Sequence, residues 1–115
     1  MLNQSARLDR TFHALADPAR RAMVERLSHS PATVSDLARP LSMSLPAVLQ
    51  HLMVLENAGL VATRKQGRVR TCEIAPAALA PLEAWIAARR AEWEQRFDAL
   101  ASYLDGLQRQ GDPDA

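Results

Sequence analysis

A mainly helical fold, with about five helices, one β-hairpin and a long C-terminal helix, is what three features of this 115-residue sequence predict. Apolar residues recur at helical spacing in five segments. Two short β-prone runs, residues 60–65 and 68–74, are joined by Gln66-Gly67, a hairpin signal. The four glycines, Gly59, Gly67, Gly106 and Gly111, each fall where an element should end.

The elements follow in order. Leu8, Phe12 and Leu15 lie on one face of a first helix, residues 5–15. Asp17-Pro18 starts a second: aspartate caps free N–H groups, and proline at the first position gives up an N–H that had no partner. That helix runs to about Leu27, where His29-Ser30-Pro31 breaks it. Thr33-Val34-Ser35-Asp36 fits a capping box for a short third helix that turns Val34, Leu37 and Leu41 inward and that Pro40 limits. Ser44 caps a fourth helix ending near Ala58, with Gly59 as its C′ residue. After the hairpin the helical period returns from Ala77. It carries Leu79, Leu82, Ile86, Trp93, Phe97, Leu100, Leu104 and Leu107 at spacings of three, four or seven.

Two short helices joined by a tight turn and followed by a hairpin make a winged helix-turn-helix, and its fourth helix is the candidate reader of DNA. At about 100° per residue, Val48, Leu52 and Leu55 fall within about 60° of one another and face the core. The opposite face offers Ser44, Leu45, Pro46, Leu49 and Gln50 to a major groove. Gln50 suits an adenine edge, Leu45 and Leu49 suit thymine methyls, and the free N–H groups of the first turn suit a phosphate. The bland alternative, a solvated face, fits Leu49 and Met53 poorly, because such a face is normally more charged.

Around the hairpin tip, Arg64, Lys65, Arg68 and Arg70 crowd together beside Gln66, with no acid before Glu73. Four like charges on two short strands repel one another, and phosphate contact relieves that repulsion. The alternative is an edge hairpin charged against aggregation. The whole-chain charge of +1 conceals this arrangement. Residues 1–72 hold ten basic and five acidic residues, net +5, and residues 73–115 hold four and eight, net −4. The first half suits a polyanion, and the second should face away from one.

The stripe of the last helix is broader than a small core can cover, and pairing with a second copy alongside the first helix would bury it. Leu8, Phe12, Trp85, Trp93, Phe97, Leu100 and Leu104 are the candidate dimer residues. One domain over residues 1–107 is expected, with the helix-turn-helix core at 17–75, dimerisation helices at 5–15 and 77–105, and a flexible tail at 108–115. The rival function is a winged-helix protein-interaction module that binds no DNA.

The segments Phe12-His13-Ala14-Leu15-Ala16-Asp17-Pro18-Ala19-Arg20-Arg21, Met43-Ser44-Leu45-Pro46-Ala47-Val48, His51-Leu52, Val54-Leu55-Glu56 and Ala58-Gly59-Leu60-Val61, in that order, resemble the ArsR/SmtB family of winged-helix transcriptional regulators. The likeness runs from about Leu8 to Leu104. It implies a homodimeric repressor that binds double-stranded DNA at a palindromic operator and is released by an effector. It carries the DNA contacts onto Ser44, Leu45, Pro46, Leu49 and Gln50 and onto the wing from Arg64 to Arg68. It assigns the first and last helices to the dimer interface. Leu49 stands where relatives commonly have a small polar residue, and Thr71 and Cys72 stand where they often have tyrosines.

The family's metal sensors use a cysteine pair on the third helix or His and carboxylate ligands on the last. Here the third helix has no thiol and the last no histidine, so this chain resembles a subgroup lacking the usual metal-binding cysteines. His13, His29 and His51 show no ligand spacing; His51, at the margin of the fourth helix's apolar face, reads as a packed, hydrogen-bonded imidazole. Cys72 is the only cysteine, which excludes an internal disulfide. Beside Arg70 it is a candidate redox or electrophile sensor if its thiol pKa is lowered, and otherwise a small apolar filler. No phosphate loop, nucleophile elbow, HExxH motif or paired-carboxylate cleft is present, so no enzyme and no cofactor are expected. With no long apolar span and no signal-peptide pattern, a cytoplasmic location is expected.

Overall fold

The computed structural model describes residues 4–111. Its elements are α1 (Gln4–Leu15), α2 (Pro18–Leu27), β1 (Ala32–Thr33), α3 (Val34–Leu41), α4 (Leu45–Asn57), β2 (Val61–Gln66), β3 (Val69–Ile74) and α5 (Ala80–Gly111). The five helices and the hairpin of a winged helix-turn-helix are all there. The chain divides into two units, Met1–Leu82 and Glu83–Ala115.

In the first unit the helix starts obey local chemistry. Asp17 accepts from the Arg20 N–H at 3.0 Å, Thr33 from Asp36 at 3.1 Å and Ser44 from Ala47 at 3.3 Å. Each N-cap side chain thus satisfies one of the free donors that every helix start leaves. At Thr33 only half of the expected capping box is built, because the Asp36 carboxylate turns to Arg39, 3.3 Å away. Gly59, at φ +77°, closes α4 as its left-handed C′ residue. Ser42 closes α3 at φ +53°, a conformation that side chains other than glycine and asparagine adopt at a cost.

The sheet has order β1-β3-β2, antiparallel throughout. Strand β1 pairs Ala32 with Cys72 and Thr33 with Thr71. Sequence pattern misses this strand, since two residues carry no period. The hairpin turn also lies one residue later than expected. Gln66 pairs with Val69, leaving Gly67-Arg68 as the loop, with Gly67 at φ +62°. Glycine at the first loop position with positive φ matches a type II′ turn, whose twist suits the strands.

The core of this unit is built by Met23 and Leu27 of α2, Leu37 of α3, Val48, Leu52 and Leu55 of α4, and Leu60, Val61 and Cys72 around the sheet. The face of α1 differs from the periodicity reading. Thr11 and Ala14 are its buried residues, whereas Leu8 and Leu15 are partly buried and Phe12 is exposed. Thr11 is tolerated there because its hydroxyl donates to the Arg7 carbonyl at 3.1 Å.

The second unit is helical and buries no residue. Helix α5 begins at Ala80, three residues after the expected start, because residues 76–79 form turns. It continues through Gln108–Gly111, four residues assigned by sequence to the flexible tail; residues 112–115 lie outside the described residues. Arg89 lies over the Trp85 ring, 5.4 Å from its centroid, and bonds to Glu92 at 2.9 Å. No helix among the described residues is long and apolar enough to cross a membrane.

Candidate nucleic-acid interface

With Val48, Leu52 and Leu55 buried, geometry obliges α4 to present its other face outward. Ser44, Leu45, Pro46, Leu49 and Gln50 are all exposed there. Leu45 is 49% and Leu49 41% accessible, and Met53, one turn further, is 61%. Pro46 sits in the first turn, where its missing N–H costs no hydrogen bond.

The wing divides its cations by strand alternation. Lys65 stands opposite Arg70 and shares a face with Thr63 and Cys72, while Arg64 pairs with Thr71 on the other face beside Gln66 and Val69. Arg68 occupies the tip. The four basic residues that crowd together in sequence are therefore not one cluster.

Lys65, Arg68 and Arg70 meet Leu45, Leu49 and Met53 across a groove of about 690 Å³ that Thr33, Val34 and Ser35 also line. An apolar helix face and a cationic strand face thus share one concave surface. Ser44, Pro46 and Gln50 are exposed on α4 but do not line that groove.

Two residues without a predicted role join the halves. The Thr63 hydroxyl donates to Glu56 Oε1, and Arg70 Nη1 donates to the same Thr63 oxygen at 2.9 Å. Arg70 is accordingly half-buried, unlike Arg64, Lys65 and Arg68. Thr63 and Arg70 are diagonal neighbours on one face of the hairpin, a relation readable only once its register is known.

Behind α4, Arg20 fastens three elements. Its Nε donates to the Ala14 carbonyl at 2.7 Å and Nη2 to the His13 carbonyl at 3.1 Å, which satisfies the end of α1. Its Nη1 lies 3.2 Å from His51 Nδ1 on α4. Asp17 Oδ2 stands 4.0 Å from the same ring nitrogen. The Asp17 carboxyl is held below its ordinary range, first by the Arg20 backbone N–H and, against a desolvation penalty, by the charges of His51 and Arg20. His51 is the half-buried, hydrogen-bonded imidazole that its position on the helix implies.

Of the two readings of Cys72, sensor and apolar filler, its surroundings favour the second. Its thiol is buried in the core, and burial pushes its pKa up. The Glu56 charge adds to that rise, and Arg70 offsets it only in part. A reactive cysteine needs an accessible thiolate, and this thiol is packed in the core among apolar side chains. Among the described residues no group of three or more His, Cys, Asp or Glu side chains is placed to hold a metal ion.

Comparison with known proteins accords with this geometry. A family model described as bacterial regulatory protein, arsR family, matches residues 17–63. The HTH-type transcriptional regulator Rv2034 of Mycobacterium tuberculosis is 53% identical over 74 residues, covering 64% of this chain and 69% of that protein. The crystal structure of the ArsR family transcriptional regulator RHA00566 superposes with a TM-score of 0.76 at 48% identity, over 82% of this chain and 97% of its own. The homodimeric winged helix-turn-helix DNA-binding domain of Mb0332 from Mycobacterium bovis shares the fold, with a TM-score of 0.62 at 24% identity over 84% and 93% of the two chains. The chain therefore belongs to the ArsR family of bacterial transcriptional regulators and is not an enzyme.

Proposed function

We propose that this regulator is a homodimeric repressor that reads a palindromic operator with α4 and steadies itself on flanking phosphates with its wing. The observation that carries this reading is the shared groove, where the exposed face of α4 lies beside Lys65, Arg68 and Arg70. In the proposed complex Gln50 pairs with a base edge, Leu45 and Leu49 pack on thymine methyls, and Ser44 and Pro46 bring the helix N-terminus to the backbone. Arg64, Lys65, Gln66, Arg68 and Arg70 contact phosphate or minor groove from the two faces and tip of the wing.

The dimer part of the proposal rests on α5 taken by itself. Trp85, Trp93, Phe97, Leu100 and Leu104 are exposed on it, and large apolar groups in such number on one helix mark an association surface. The homodimeric state of Mb0332 points the same way, and the family resemblance adds Leu8 and Phe12 of α1. A two-fold protein matches a two-fold operator with half-sites about one helical turn apart. Repression, and release by an effector in the cytoplasm, follow from the same resemblance.

A gel shift with the DNA upstream of the chain's own gene, repeated across salt concentrations, tests the reading. Binding should weaken steeply as salt rises, because each neutralised phosphate releases counterions. Absence of a salt-sensitive shift at micromolar dimer would overturn it in favour of a protein-interaction module. Titration of the shifted complex with metals, peroxide and small metabolites identifies the class of effector.

A further inference from the structure

Glu56 is the one acid in a groove otherwise lined by apolar, hydroxyl and cationic side chains. On a surface that meets phosphate, a carboxylate is an electrostatic cost, so its place there asks for a compensating role. Its contacts supply one. Thr63 has a single hydroxyl proton, and that proton goes to Glu56 Oε1. The remaining lone pairs of the same oxygen accept from Arg70 Nη1 at 2.9 Å. The polarity of this chain cannot reverse, since a guanidinium only donates and a carboxylate only accepts. Thr63 is also β-branched and stiff at χ1, which suits it to carry direction from one partner to the next. One hydroxyl thereby joins the last turn of α4, strand β2 and strand β3.

We propose that Glu56 is a positioning residue for DNA reading. Through Thr63 it holds the Arg70 guanidinium and sets the angle between α4 and the wing. Base contacts from the helix and backbone contacts from the wing are then made in one register. The proposal rests on the DNA-reading function above and adds to it the element that couples the two reading parts.

Three variants of the full chain separate geometry from charge. Glu56→Ala removes acceptor and charge, Thr63→Val removes the relay at nearly constant shape, and Glu56→Gln keeps an acceptor oxygen but removes the charge. In the DNA-free protein, amides of β2 and β3 should exchange about 3- to 10-fold faster in Glu56→Ala and Thr63→Val, the scale of one hydrogen bond, and at the wild-type rate in Glu56→Gln. Binding is then measured on operator DNA and on operators with one base pair inserted between the α4-contacted bases and the wing-contacted segment. The wild type should discriminate against the insertion. Glu56→Ala and Thr63→Val should lose about 3- to 10-fold of that discrimination. Glu56→Gln should keep it while binding every site more tightly.

If Glu56→Ala matches the wild type in exchange and discrimination, the proposal falls and the DNA reading stands. If Glu56→Gln loses discrimination as Glu56→Ala does, charge rather than position is at work, and the proposal falls again. A wild-type chain that binds no duplex at all overturns the functional reading itself, whatever the exchange rates show.

Discussion

Helices α4 and α5 both expose large apolar side chains, yet they do so for different physical reasons. In α4 one face is spent on the core, through Val48, Leu52 and Leu55, and Leu45, Leu49 and Met53 are left over on the other. In α5 nothing is buried, and Phe97 reaches 68% accessibility. Charge separates the two surroundings further. The unit containing α4 holds ten basic and six acidic residues, net +4, and the unit formed by most of α5 holds four and seven, net −3. In the proposed complex the exposed leucines beside arginines meet a polyanion, whereas the exposed tryptophans and phenylalanine on the acidic helix meet a second helix. Exposure alone does not identify a partner; exposure together with neighbouring charge does.

Four experiments test this contrast, and the largest effect is expected on α5. Trp93→Glu combined with Phe97→Glu should convert the dimer to monomer in sedimentation and weaken palindrome binding by about 100-fold or more, since buried aromatic anchors dominate interface energies. A double variant that remains dimeric would remove α5 from the interface.

Next is the inner face of α4 against its outer face. Leu52→Ala should cost about 2–5 kcal/mol of folding stability in urea titration, because it opens a cavity in a closed core. Leu49→Ala should change stability by less than about 0.5 kcal/mol, as surface substitutions do, and act instead on DNA affinity. Equal losses of stability would erase the distinction between the two faces.

Within the proposed DNA-contacting surface, Gln50→Ala should change which base is preferred, by about 1–3 kcal/mol of discrimination. Arg68→Ala should weaken binding to all sequences alike and lower the salt slope by about one. A randomised-site selection distinguishes these outcomes, and uniform loss in both variants would abolish the division of roles between helix and wing.

The smallest effect concerns Cys72. Its thiol pKa is raised in the fold, so the neutral thiol contributes stability that is present below the ordinary thiol value and is lost as pH rises through the higher folded value. Thermal midpoints should therefore fall slightly more at alkaline pH in the native chain than in Cys72→Val. Alkylation at neutral pH should be slow until the protein unfolds, and rapid labelling of the folded chain would restore the sensor reading.

Much of this is legible in the sequence. Asp17-Pro18, Ser44 and Gly59 mark helix ends through capping chemistry that needs only neighbours in sequence, and the structure uses all three. Val48, Leu52 and Leu55 share a face because helical period is a local property. Strand β1 stayed hidden because Ala32-Thr33 becomes a strand only through β3, some forty residues further on. The buried face of α1 went to Thr11 and Ala14 because small side chains let the helix approach the core, a packing outcome that periodicity of large residues does not report. The apparent cluster of four wing cations dissolved because a hairpin register sends alternate residues to opposite faces.

Sequence is enough to place the five helices and the wing hairpin in order, the main helix caps, the face that α4 turns away from the core and the separation of basic from acidic halves. These depend on periods, on capping residues and on charge, all of which act over a few positions. Tertiary structure alone decided that Arg70 turns inward to Thr63, that Glu56 reaches across from α4 to the wing and that Cys72 is sealed in the core. Those outcomes require segments distant in sequence to pack against one another, and burial and hydrogen-bond partners are properties of that packing rather than of any one segment.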